Sequence, residues 1–366
     1  MKKIFFGGPS ITNAEINIVK DSVKNGFYEG MSIYLEKLTR QLNKTLKSKY
    51  ILPTFTCTHS MHLALLSCGI KKGDEVILPE ISWVATAQSI AYTGAKCIFV
   101  DIDPANLCID PKKIEDSVTS KTKAIMVVHA FGHPCNMREI KKISKKYGLC
   151  LIEDAAPSLG SNINGKMTGT FGDVGCFSFQ GSKIATGNEG GVLVTKSKEK
   201  YDFAKLYSIL GRTDSKKPFW SDHIAYRYGM SNLNAALAYV QVKRIKELVK
   251  IKRKIAKTYI RYLKNLNNVK FIYEPKYGYS NYAYPNITLE NSNKEKRDIL
   301  IRKLLSKKIY CRAMFPATSE MPMFKTQFKN INSFYVSDNS ITLPSPPNLK
   351  TKDIERVCNE IKKYVD

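Results

Sequence analysis

From about residue 50 to 195 the chain alternates short apolar runs with helix-like segments, and this alternation limits the possible folds more than any other feature. Asp74-Glu75-Val76-Ile77-Leu78-Pro79 reads as a strand ended by proline, and Lys96 to Val100 as another that ends at Asp101. Lys123 to His129, Cys150 to Glu153 and Val192 to Thr195 supply three more. Ser60 to Cys68 reads as a helix closed by Gly69, and Ser82 to Tyr92 as one that ends at Gly94. Strands separated by helices of this length form βαβ units, so a mostly parallel central sheet is expected. Ligands of such sheets sit beyond the carboxyl ends of the strands.

Ser231 to about Leu263 reads as one long helical stretch, with apolar spacing at Leu233, Leu237, Val240 and Ile245. Beyond it lie strand-like pieces at Val269 to Tyr273 and Ala283 to Leu289, and helices over 293–307 and 351–364. At 366 residues the chain is long for one ordinary core. The expectation is an α/β protein with a large domain over 1–245 and a smaller C-terminal α+β domain over 246–366.

Charge and cysteine usage narrow the function classes. The formal net charge is +26, but only 11 of the 58 basic residues are arginine. Base reading and bidentate phosphate recognition favour Arg. Lysines here are spread over nearly every polar helix face, so we expect no specific nucleic-acid partner, only a field that attracts anionic small molecules. No apolar run approaches the roughly 20 residues that span a bilayer. The start, Met-Lys-Lys followed by Ile4-Phe5-Phe6-Gly7-Gly8, is too short for a signal peptide. Nine cysteines without a CxxC pair fit a reduced, cytoplasmic chain with buried free thiols. His129 and His133 are four apart but surrounded by Gly and Pro, so they share no helix face and no metal site is expected.

The densest chemical signal lies between Leu151 and Thr195. Glu153-Asp154 puts two carboxylates at the end of an apolar strand, and Phe177-Ser178-Phe179-Gln180-Gly181-Ser182-Lys183 places a lysine after an aromatic strand and a glycine turn. A lysine in such a setting forms a Schiff base with a carbonyl. Pyridoxal 5'-phosphate needs an imine-forming lysine, a carboxylate on its pyridine nitrogen and a donor-rich phosphate cradle. Thr56-Cys57-Thr58-His59-Ser60, leading into a helix, is a cradle candidate. Its plainer reading is an N-cap by Thr58 or Ser60.

These segments together resemble the PLP-dependent nucleotide-sugar aminotransferases of the DegT–DnrJ–StrS type, in particular the perosamine-synthetase-like members. The likeness runs through Asn25-Gly26 to Gly30, the Cys57 to Leu65 segment, Trp83-Val84-Ala85-Thr86-Ala87 and His129 to Met137. It continues through Glu153-Asp154-Ala155-Ala156, Phe177 to Gly191, Tyr228 to Asn232 and Leu343-Pro344-Ser345. The resemblance implies the aspartate-aminotransferase-like architecture known as fold type I. It also implies that Lys183 carries the cofactor and shuttles the proton, and that Asp154 pairs with the pyridinium nitrogen. Trp83 is then expected to stack on the ring, with Cys57, Thr58 and Ser178 around the phosphate and Arg227 reaching it from the neighbouring subunit of a homodimer. The implied activity converts a nucleotide-linked 4-keto-6-deoxy sugar to the 4-amino sugar, with L-glutamate as donor. Other ketones (a 3-keto sugar, a cyclitol or a small phosphorylated ketone) are the alternative substrates, and a non-catalytic regulatory homologue is the alternative role. Pro157, Ser319 and Gly229 depart from the residues common in the family at those positions, namely Gln or Glu, His, and a basic residue.

Overall fold

The structure, a computed structural model, describes residues 2–213, 217–324, 326 and 330–365. Its central sheet has seven strands: β1 (Tyr50–Thr54), β2 (Glu75–Pro79), β3 (Lys96–Val100), β4 (Thr122–Val128), β5 (Cys150–Asp154), β8 (Val174–Ser178) and β9 (Gly191–Thr195). A small hairpin, β6 (Asn162–Ile163) and β7 (Lys166–Met167), interrupts the series. The strand order is β1-β9-β8-β5-β4-β2-β3. Neighbours from β3 to β8 are parallel, whereas β9 runs antiparallel to both β8 and β1. The mostly parallel sheet expected from the sequence is thus present. All five residues of β2, and likewise of β8 and β9, are buried, as befits strands covered on both faces.

Helices cover the sheet through apolar stripes at helical spacing. Ile33–Leu46 buries Tyr34, Leu38, Leu42 and Leu46, and Met137–Lys146 buries Met137, Ile140 and Ile143 with its lysines turned outward. Each such large side chain contributes about 1.5–3 kcal/mol on burial. A second sheet, β10 (Val269–Phe271), β11 (Asn286–Leu289), β12 (Arg312–Ala313) and β13 (Ser340–Thr342), is antiparallel in the order β10-β11-β13-β12. It packs with Ile255, Tyr259, Leu263, Leu300, Leu304, Val357 and Ile361 into its own core, which is the smaller C-terminal α+β unit.

Two expectations need correction. The long helical stretch is two helices, Asn232–Lys243 and Ile245–Leu263, broken at Arg244 (φ −89°, ψ 3°). The Arg244 guanidinium holds Glu15 and Glu247 and the Ser10 carbonyl, so the break is pinned by contacts from a segment some 230 residues away. The cysteines are not all free thiols. Cys68, after the Cys57–Ser67 helix, is joined by a disulfide to Cys150 at the start of β5, and the other seven are free. The pair is 82 residues apart in sequence with Cα atoms 6.3 Å apart, a proximity made by packing that no local spacing announces.

Candidate active site

The cradle begins where β1 ends. Pairing places Thr54 opposite Gly191 and Gly191 opposite Ser178, so three strand ends form one row across the sheet, each step about 4.8 Å. Gly191 permits this, because a Cβ there would collide with the Thr56 carbonyl. The following helix starts at Cys57, three residues earlier than expected, and its cap is Thr56, whose hydroxyl accepts from His59 N (3.2 Å). Neither Thr58 nor Ser60 caps it. Ser60 instead bonds Thr54 (2.6 Å) beneath the turn. The first two helical amides, Cys57 and Thr58, have no hydrogen-bond acceptor among the described residues, and neither has the Thr58 hydroxyl. Free N–H groups at a helix N-terminus with a hydroxyl beside them suit a phosphate.

Asp154 closes β5 and is buried. Thr86 donates its hydroxyl to Oδ2 (2.8 Å), and the Ala156 amide donates to Oδ1 (3.0 Å). A carboxylate offers about four acceptor positions, so this one stays oriented with capacity for a further donor such as a protonated pyridine nitrogen. Thr86 follows Trp83 by one turn, its amide bonding the Trp83 carbonyl (3.0 Å). Trp83 itself is 62 % exposed and leans on Phe315, which stacks on Phe131. The Ala85–Ala91 helix starts three residues later than expected, which leaves Trp83 on the preceding loop rather than on a helix.

Lys183 lies half-buried in the turn that links β8 to β9, its amide bonded to Gln180 O (2.9 Å). That turn exists because β9 reverses direction, which returns the chain along the same sheet edge where β5 and β1 end. Cys57 registers the convergence. Burial pushes its thiol well above the ordinary value, Asp154 raises it further, and the Lys183 ammonium acts against both. Gly191 abuts Cys57 N and pairs with Ser178, and Asp154 pairs with Cys176, so Cys57, Ser178 and Asp154 lie at one end of the sheet, with Lys183 in the turn that follows Ser178. Arg227 stands apart. It is exposed, in a segment whose residues Tyr228 and Gly229 line the end of β1 through Phe55 and Thr54.

The second carboxylate of the pair does something else. Successive strand residues face opposite sides, and fully buried Glu153 points away from Asp154. It accepts from the amides of Gly169 (2.7 Å), Phe171 (2.6 Å) and Gly172 (2.6 Å) and from His129 Nε2 (2.9 Å). His129 Nδ1 accepts from Cys135 N (3.1 Å), which assigns the proton to Nε2. His133, by contrast, is fully buried with neither nitrogen bonded, edge-on to Tyr282. Burial lowers its pKa from 6.5 to about 4, with Glu274 opposing and Arg253 assisting. Its unfolded form binds a proton between these pH values and its folded form does not, so stability is full above pH 6.5 and is lost as pH falls toward 4. We expect urea unfolding to show His133→Phe losing about 3 kcal/mol less than the parent between pH 7 and 4. Equal losses would show that His133 does not carry this dependence.

The departures from family residues also find their places. Ser319 N donates to buried Glu80 (2.7 Å), and Pro157 O accepts from Asn281 (2.9 Å). Thr86 and Phe315, which touch Asp154 and Trp83, were not legible as site residues. Thr86 alone left a trace, as a hydroxyl one helical turn beyond Trp83.

Comparison with known proteins identifies the family. The model of the DegT/DnrJ/EryC1/StrS aminotransferase family matches residues 9–362. The chain is 33% identical over 365 residues to a GDP-perosamine synthase of Escherichia coli O157:H7, covering 100% of this chain and 99% of that one. It is also 33% identical over 361 residues to a GDP-perosamine synthase of Vibrio cholerae, covering 97% of each. Among solved structures, the aminotransferase TlmJ from Streptoalloteichus hindustanus superposes with a TM-score of 0.94 at 25% identity, covering 99% of both chains.

Proposed function

The chain belongs to the DegT/DnrJ/EryC1/StrS aminotransferase family, and from that premise we propose that it moves an amino group from L-glutamate to C4 of a GDP-linked 4-keto-6-deoxy sugar. The product then serves a surface polysaccharide or other glycan. Enzymes of this family use pyridoxal 5'-phosphate, which when bound supplies the electron sink that lets nitrogen be taken from one carbon and given to another.

The chain's own residues hold and direct that chemistry. Cys57 and Thr58 grip the phosphate through their free amides and the Thr58 hydroxyl, with Ser178 beside them. Asp154, oriented by Thr86, keeps the pyridine nitrogen protonated by placing a carboxylate against it. Trp83 covers the ring, an aromatic face being worth roughly 0.5–1.5 kcal/mol beyond its burial. Lys183 binds the cofactor through Nζ and, once the donor amine displaces it, takes and returns the proton at the reacting carbon. Arg227, exposed in one chain, reaches the phosphate of a second, making the functional unit a homodimer with shared sites.

The observation that most supports this reading is the full-length likeness to two GDP-perosamine synthases. The test is steady-state kinetics of the cofactor-loaded protein with glutamate and a panel of ketones. GDP-, UDP- and dTDP-linked 4-keto-6-deoxy sugars are compared with cyclitol and small phosphorylated ketones. We expect kcat/KM for the GDP sugar to lead by about tenfold or more. A cyclitol or small ketone in front overturns the substrate assignment.

A further inference from the structure

Lys252 is the only buried lysine among the described residues, and it faces no carboxylate within ion-pair distance. Lysine is almost never enclosed in this way without a partner, so its surroundings require an explanation. Its Nζ donates to the carbonyl (2.7 Å) and the hydroxyl (2.8 Å) of Ser345 and sits 5.2 Å over the ring of Tyr284. The Tyr284 hydroxyl in turn donates to the carbonyl of Ser182 (2.5 Å), the residue immediately before Lys183. Among the described residues this is the one hydrogen bond that reaches the 180–183 turn from outside residues 178–183. The other bonds of that turn, from Lys183 N and Ser182 to Gln180 and from Gln180 N to Ser178, are internal.

The far end of this connection is anchored from several directions. Tyr284 stacks on Phe6 at 5.4 Å. Ser345, besides holding Lys252, donates its amide to Phe6 O (2.9 Å) and its hydroxyl to Ala283 O (3.3 Å). The Leu343-Pro344-Ser345 segment is thus where Lys252 is held. Burial lowers the Lys252 pKa from 10.5 to about 7, so what holds its amine over the Tyr284 ring is the pair of hydrogen bonds it donates to Ser345.

We propose that Lys252 and Tyr284 are positioning residues for Lys183: the buried Lys252 amine and Ser345 fix the Tyr284 ring, and the ring's hydroxyl fixes the backbone that carries the cofactor-binding lysine. This rests on the reading of Lys183 given above. The connection runs from the Ile245–Leu263 helix and the strand ends of the smaller sheet into the turn of the larger one. The smaller unit therefore sets the lysine of the larger, although none of its residues in this chain of contacts belongs to the cofactor cradle.

The experiment uses the cofactor-loaded protein and two variants, Tyr284→Phe and Lys252→Met. Tyr284→Phe keeps the ring and removes only the hydroxyl. It is expected to bind the cofactor with full stoichiometry and to melt with the parent. The pH midpoint of its visible absorption band should shift by roughly half a unit or more, because that band reports the surroundings of the lysine nitrogen. Its single-turnover rate with glutamate should fall about tenfold at an unchanged half-saturating glutamate concentration. Lys252→Met should change both in the same direction, and the double variant should be no worse than the stronger single one, since both act through one bond. An unshifted midpoint and a parental rate in Tyr284→Phe overturn the proposal even if Lys252→Met fails to fold. Lys183→Ala separates the two readings: a cofactor that borohydride still fixes to the protein at one equivalent there defeats the assignment of Lys183 itself, whatever Tyr284 does.

Discussion

Replacing Lys183 by alanine is expected to lower amino transfer by about 10³-fold or more, measured as 2-oxoglutarate formed from glutamate in the presence of the keto sugar. Two separate contributions disappear with one side chain. The amine that binds the cofactor carbonyl is lost, and so is the group that moves the proton afterwards. Neither is supplied by a neighbour, because Asp154 is held in place by Thr86 and Ala156 for the pyridine nitrogen proposed above, and the Cys57 thiol is kept protonated, chiefly by burial. Cofactor affinity should fall far less than turnover. The free amides of Cys57 and Thr58 and the Asp154 carboxylate remain where they were, and they contribute without covalent attachment. Lys183→Arg should be as inactive as alanine, since a guanidinium keeps the charge but forms no such bond. Parental turnover in either variant would remove Lys183 from the mechanism.

Glu153→Gln should destabilise the fold by about 3–5 kcal/mol, read as a drop in the urea midpoint. Each carboxylate oxygen of Glu153 accepts two N–H donors. An amide of the same shape must turn its NH₂ toward one of those pairs. His129 cannot relieve the clash by changing tautomer without losing the bond its Nδ1 accepts from Cys135 N. Two buried donors then face a donor, and the 169–172 turn loses its anchor. Activity per folded molecule should change much less than with Asp154→Asn, because Glu153 lies on the other face of β5. A Gln variant as stable as the parent would show that the carboxylate's charge is not what holds this turn.

The adjacent carboxylates show how far a sequence carries such an argument. The pair was readable as a strand end near a site, and period-two alternation already requires the two side chains to diverge. Which one meets the site depended on the sheet order, which sets what packs on each face of β5. The cradle was likewise readable as hydroxyls before a helix. Its cap was misplaced because Thr56, Thr58 and Ser60 are chemically interchangeable as caps. Only the backbone at Thr56 (φ −142°, ψ 162°) distinguishes the capping residue. The helix break at Arg244 had no local signal either, since neither Gly nor Pro marks it and its partners Ser10 and Glu15 lie near the other end of the chain.

By itself the sequence determined the alternation of strands and helices, the mostly parallel sheet, the smaller C-terminal α+β unit and the family whose motifs it carries. These follow from periodicity, turn residues and motif order, all of which are local. Only the tertiary structure decided that β9 runs antiparallel and returns the Lys183 turn to the edge where β1 and β5 end. It alone joined Cys68 to Cys150, gave Asp154 its Thr86 donor and set Tyr284 against Ser182. Each of these contacts links residues far apart in the chain. Burial and hydrogen-bond satisfaction select them only once the whole core has closed.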